Sequence, residues 1–238
     1  MTSRAVWRLC ALAGLIAFVI SWSFGRIPGL AACGPVVGGG GPIFAFELAR
    51  TAADIAALFG ADPCRSTLVA AQYTGLWLDG LGFIPSYTAF LVLAAIAASR
   101  GWMRRATVAM LIVAALSDEV EGFMLGGILK TLPGTQAQLD QLYWAVHIKF
   151  GLLALATTLI GLAMVRLRGL APLLLGGMVW IGGMAAIYGF GELPGPVMMR
   201  AFTLAWFALL AAAIIFSFAP SLFSARDAQR RGQAPPTV

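Results

Sequence analysis

The chain has 238 residues, 60% of them hydrophobic and only 11% charged, with a formal net charge of +6 and a mean hydropathy of +0.88. A water-soluble domain carries about 25% charged residues, so this composition excludes one and points to a polytopic helical membrane protein. The positive balance requires no nucleic acid as partner, because membrane topology and contact with anionic lipid account for it.

A helix that spans a bilayer takes about 20 mainly apolar residues. Six segments meet that requirement: 7–25, 78–99, 106–129, 143–165, 169–191 and 198–220. The expected fold is all-α, a single integral membrane domain over 1–238 built as a six-span helix bundle. Lys and Arg concentrate in cytoplasmic loops. Arg4 and Arg8 precede the first span, Arg100, Arg104 and Arg105 join the second to the third, and Arg166 and Arg168 join the fourth to the fifth. Arg226, Arg230 and Arg231 follow the sixth. Both termini and the tail 221–238 are therefore expected in the cytoplasm, with a bacterial inner membrane as the location. Trp7, Trp22, Trp77, Trp102 and Trp144 fall near span ends, as interfacial anchors do.

The start, "MTSRAVWRLCALAGLIAFVISWSFG", places basic residues before an apolar run, as a signal peptide does, but no A-x-A-like site follows directly. It reads as an uncleaved first span. "LAAC", ending at Cys33, looks like a lipoprotein box, yet Arg26 and Pro28 separate it from the apolar run.

The loop 26–77 is the only long one and is expected on the extracytoplasmic side. Its "CGPVVGGGGP" is too rich in Gly and Pro to span. In "FELARTAADIAALFG" the spacing of Phe46, Leu48, Ile55, Leu58 and Phe59 predicts an amphipathic helix on the membrane surface. Thr51 and Asp54 form an N-cap pair that starts or restarts it. Cys33 and Cys64 bracket the segment on the oxidising side, so a disulfide is expected; the alternative is two unpaired cysteines, one of them lipidated.

Nine of the ten acids, all but Asp227, fall outside or in the outer parts of spans under this topology: Glu47, Asp54, Asp62, Asp79, Asp118, Glu119, Glu121, Asp140 and Glu192. Counted from Ala106 at the helical rise, Asp118 lies roughly 18 Å and Glu121 roughly 22 Å into a core about 30 Å thick. These two share one helix face, roughly 60° apart, while Glu119 points elsewhere. Gly122-x-x-x-Gly126 continues the face and predicts close helix approach. An unpaired carboxylate there costs a few kcal/mol, so partners are expected. The candidates are Lys149, His147, Arg200 and Tyr87. His147 and Lys149, two residues apart, face nearly opposite ways; Lys149 is the favoured counter-ion and Arg200 the second. On the second span Asp79 stands beside Gly80 and Gly82, with Pro85 a turn later. Either Pro85 frees backbone carbonyls that join Asp79 in a cation or ligand site, or Asp79 only marks the wet start of the span.

"FELA" at Phe46–Ala49, Asp79 with Phe83 and Tyr87, Asp118-x-x-Glu121, and Lys149–Phe150 together resemble a group of uncharacterised bacterial multi-pass membrane proteins. The resemblance covers roughly residues 42–165, and Gly122 stands where that group has Asn. It implies that Glu47, Asp79, Asp118, Glu121 and Lys149 act together, and it implies no particular activity.

A single histidine excludes bis-His haem ligation and His-rich metal sites. There is no C-x-x-C motif, no Ser/His/Asp or Cys/His constellation and no nucleotide-binding Gly loop. No metal and no cofactor are expected. The halves show no internal repeat, which weighs against an inverted-repeat transporter. Gly176, Gly177, Gly182 and Gly183 read as close-packing positions. Three functions fit: a module that binds or passes a small molecule, ion or lipid; a ligand-free polar staple that sets helix register; and an intramembrane acid/base enzyme acting on a lipid or isoprenoid. The first is the reading preferred here, with membrane lipids as surroundings.

Overall fold

The computed structural model describes residues 3–36, 41–167, 169–190 and 195–218. Arg168, Glu192 and the predicted tail 221–238 lie outside the described residues. Those described form helices α1 (Ser3–Phe24), α2 (Pro42–Glu47), α3 (Ala52–Phe59) and α4 (Cys64–Leu78). A π-helical turn, Asp79–Phe83, leads into α5 (Ile84–Ala98). Then come α6 (Gly101–Lys130), α7 (Gln136–Val165), α8 (Leu170–Phe190) and α9 (Pro196–Phe218).

Among the described residues, five helical runs are long and apolar enough to cross a membrane: Arg4–Phe24, Cys64–Ala98, Gln136–Val165, Leu170–Phe190 and Pro196–Phe218. The chain is therefore an all-helical protein of membrane-embedded type. Helix α6 is longer than most of these, but Asp118, Glu119 and Glu121 interrupt its apolar run.

The second run starts earlier than the sequence predicts. It begins at Cys64 and continues as 35 residues to Ala98, so Asp79 sits in mid-run. The interruption there is the π turn. Pro85 has no N–H to give to the preceding turn, and the chain widens just before it, with the Ile84 N–H reaching back to the Asp79 carbonyl. The Phe83 carbonyl takes a hydrogen bond from the Ser86 hydroxyl at 2.9 Å.

The long helices close a ring in chain order. Helix α1 packs on α5, α5 on α6, α6 on α7, α7 on α8, α8 on α9, and α9 returns to α1. Arg4 Nε donates to the Ser217 carbonyl at 3.0 Å, so the start of α1 and the end of α9 lie at the same end of the bundle. Trp7 is buried against Phe216 there, in contrast to its expected interfacial role. Trp22, Trp77, Trp102 and Trp144 are exposed.

The segment after the glycine-rich stretch forms two helices and not one. Thr51 and Asp54 make the expected capping box that starts α3. Phe46, Leu48, Ile55, Leu58 and Phe59 are all buried in the protein's own core. Cys33 and Cys64 form a disulfide. It ties the segment before α2 to the first residue of α4 and leaves neither thiol for a lipid.

Candidate functional site

The apolar faces of the ring leave a cavity of about 400 Å³, lined by residues of α1, α2, α4, the π turn, α5, α6, α7 and α9. Its polar side is built on α6. Asp118 and Glu121, three residues apart, point to the same side of that helix and are buried, 5% and 2% exposed. Lys149 on α7 faces them and is 4% exposed. Its ammonium lies 3.0 Å from Asp118 Oδ1 and 2.7 Å from Glu121 Oε2. A third carboxylate arrives from outside the ring: Glu47 closes α2 and meets the same ammonium at 3.3 Å. Gln72 fixes that entry, donating from Nε2 to the Pro42 carbonyl at 3.0 Å, which ties the start of α2 to α4. Tyr87 on α5 donates its hydroxyl to Asp118 Oδ2 at 2.8 Å.

Asp79 lines the same cavity from the π turn. It is half-buried, and its carboxylate makes no hydrogen bond or ion pair with any described residue. Four carboxylates thus line a cavity in which Lys149 is the only basic residue. Among the described residues no group of three His, Cys, Asp or Glu is arranged to hold a metal ion. The centre of the carboxylate group is filled by the Lys149 ammonium instead.

Of the eight residues the sequence offers for a polar cluster, the structure brings Glu47, Asp79, Tyr87, Asp118, Glu121 and Lys149 to one cavity. His147 and Arg200 stand apart. His147 stacks on Tyr143 at 3.8 Å between ring centroids and contacts the Tyr143 carbonyl through Nδ1. Arg200 is exposed. Glu119 lies off the cavity beside Gly80, where its Oε2 would be 3.4 Å from an added Cβ. The close approach predicted for Gly122 and Gly126 is absent. Nothing lies within 4 Å of a Cβ built at Gly122, and only Leu76 Cδ1, at 3.9 Å, near one at Gly126. Gly122 borders the cavity instead, and Gly126 meets α4 only through side chains.

The aromatic wall escaped sequence reasoning. Ten of the residues lining the cavity are aromatic. Phe83, Tyr87, Trp206, Phe202, Phe150 and Phe44 follow one another with neighbouring ring centroids 5.3 to 6.2 Å apart. Trp206 and Phe202 lie a turn apart on α9, and Trp206 is held to α7 by a 3.3 Å bond from Nε1 to Thr157 Oγ1. In the sequence Phe202 and Trp206 look like ordinary apolar span residues; the return of α9 onto α1 brings them to the cavity.

Above the cavity, outside the spans, Arg50 lies over the Tyr143 ring at 3.8 Å. Burial lowers the Arg50 pKa, against smaller raising effects of Tyr143 and Asp54. Burial also works to raise Asp54, but the backbone N–H of Arg50 and the Thr51 cap outweigh it and hold the carboxyl below its ordinary range. Asp54 is accordingly a charged cap at neutral pH.

Comparison of the chain with family models, with curated proteins and with solved structures finds no match.

Proposed function

We propose that the chain is a six-span protein of a bacterial inner membrane, with both termini in the cytoplasm, and that its cavity faces outward and binds a small amphiphilic molecule. Helix α6 is the sixth span in this reading. Its 30 residues reach about 45 Å, more than a hydrocarbon core requires. Of the charges that lower its hydropathy, Asp118 and Glu121 meet Lys149 and Tyr87 inside the bundle, which offsets the cost of inserting them. The basic residues Arg4, Arg8, Arg100, Arg104, Arg105 and Arg166 orient the bundle by their bias to cytoplasmic ends.

The observation that carries the binding reading is the imbalance of the cavity: apolar walls with four carboxylates against a single ammonium. A structural staple needs only as many charges as it can pair, because each buried excess charge costs stability. A volume of about 400 Å³ is within the usual range of small-molecule sites. The staple remains the second reading, favoured by the three ion pairs that converge on Lys149.

Thermal unfolding of the purified protein in detergent separates the two. Asp118→Asn and Glu121→Gln each keep shape and remove one charge. In a binding site that holds excess charge, either variant is as stable as the wild type or more so, because Lys149 keeps two other carboxylates. A loss of about 3 kcal/mol or more in either variant, the scale of a broken buried pair, would make the cluster a staple.

A further inference from the structure

We infer that the head group this cavity takes is an organic cation, an amine or quaternary ammonium carried on an apolar body. The inference rests on the binding reading above and names its ligand class. Lys149 accounts for Glu47, Asp118 and Glu121, which surround it at 2.7 to 3.3 Å. Asp79 is left over. It faces the same cavity, half-buried, with no described residue donating to its carboxylate. With the carboxylates ionised, the cavity carries three negative charges in excess, four against one. A cationic head group relieves that excess, whereas an anionic one adds to it.

The walls select the kind of cation. Tyr87 binds Asp118 through its hydroxyl, and its ring lies 5.6 Å from that of Trp206. Phe202 follows at 5.8 Å from Trp206. Adjacent aromatic faces beside a carboxylate recognise ammonium groups through the negative face of each ring, most strongly when water is excluded. Trp206 cannot turn freely, because its Nε1 is bonded to Thr157. A small inorganic cation has no use for an apolar volume of this size; it needs a cage of oxygens at fixed distances. An organic cation uses both halves of the site, the rings and carboxylates for its charge and the aliphatic lining for its body.

The test uses the full chain in lipid nanodiscs and three probes with one tail: decyltrimethylammonium, decan-1-ol and decanoate. Equilibrium binding is measured by dialysis, with uptake by empty nanodiscs subtracted. The cation is expected to bind about tenfold more tightly than the alcohol, with decanoate weakest, on the scale of a desolvated cation–π contact. Asp79→Asn and Trp206→Leu are each expected to bring the ratio of decyltrimethylammonium to decan-1-ol affinity, measured on the same variant, most of the way to one. Equal binding of the three probes would overturn the cation assignment and leave the cavity reading standing. No binding of any probe above empty nanodiscs would overturn the cavity reading and the assignment with it. A cation preference that survives both substitutions would show that Asp79 and Trp206 are not its source.

Discussion

The α7–α8 seam and the cavity face of α6 use glycine in opposite ways. On α7 and α8, Gly161, Gly176 and Gly183 mark backbone contact. A Cβ at Gly161 would overlap the α8 backbone at Val179 and Trp180, and one at Gly183 would stand 2.6 Å from Thr158 N. At Gly176 the nearest backbone atom would be Val165 N, at 2.8 Å. Along α6 the same residue type borders open space, as at Gly122. Gly177 also meets nothing within 4 Å, so not every glycine of α8 packs as predicted. The lesson is that a small-residue pattern permits close approach without enforcing it. In lipid no hydrophobic force pulls one helix against another, and contact follows only where complementary surfaces exist. The α7–α8 seam is a close-packed wall, and the hollow that holds the charges lies within the ring, between α6 and α7 and the facing α1, α5 and α9.

This contrast is most sharply tested at Lys149. Among the described residues it is the one base that lines the hollow, so Lys149→Met leaves three buried carboxylates without a counter-charge and is expected to cost about 3–5 kcal/mol. Thermal unfolding in detergent measures it, and a Lys149→Met protein as stable as wild type would mean that the carboxylates carry no charge worth pairing. Next in size is a matched pair of alanine substitutions. Gly161→Ala is expected to cost about 2–3 kcal/mol, because the neighbour that must move is backbone. Gly122→Ala is expected to be neutral or to add up to about 1 kcal/mol from helix propensity. Equal effects at the two positions would erase the distinction between wall and hollow.

The smallest effect belongs to the cap that holds α3 outside both regions. Thr51→Ala or Asp54→Ala is expected to cost about 1 kcal/mol at neutral pH. The Asp54 carboxyl lies below its ordinary range in the folded protein. Its contribution is therefore fully present above the unfolded value of about 3.9 and is lost as pH falls through the lower folded value. The stability difference between wild type and Asp54→Ala should shrink over that acid window. A difference that grew on acidification would have the wrong sign for a depressed carboxyl.

Much of the site was legible because its first relations are local. Asp118 and Glu121 share a face by helical geometry alone, and buried acids of α6 called for a base, which Lys149 supplies. The capping box at Thr51 and Asp54 is likewise a spacing of three residues. The Cys33–Cys64 bridge could be anticipated because only those two cysteines fall on one side of the first span. The helical run through Asp79 was misplaced at its start, since "CRSTLVAAQYTGLWL" is too mixed to show where an apolar run begins.

By itself, then, the sequence determined the membrane-embedded class, the long helices and the pairing of acids with a base. Those follow from the cost of moving polar groups out of water and from a fixed rise and rotation per residue. Only the tertiary structure decided that α9 closes on α1, that α2 carries Glu47 to Lys149, and that six aromatic rings from four helices and the π turn form one wall. Such neighbours are far apart in the chain. Their meeting depends on how whole helix surfaces fit one another, a property of the packed ring that no single segment contains.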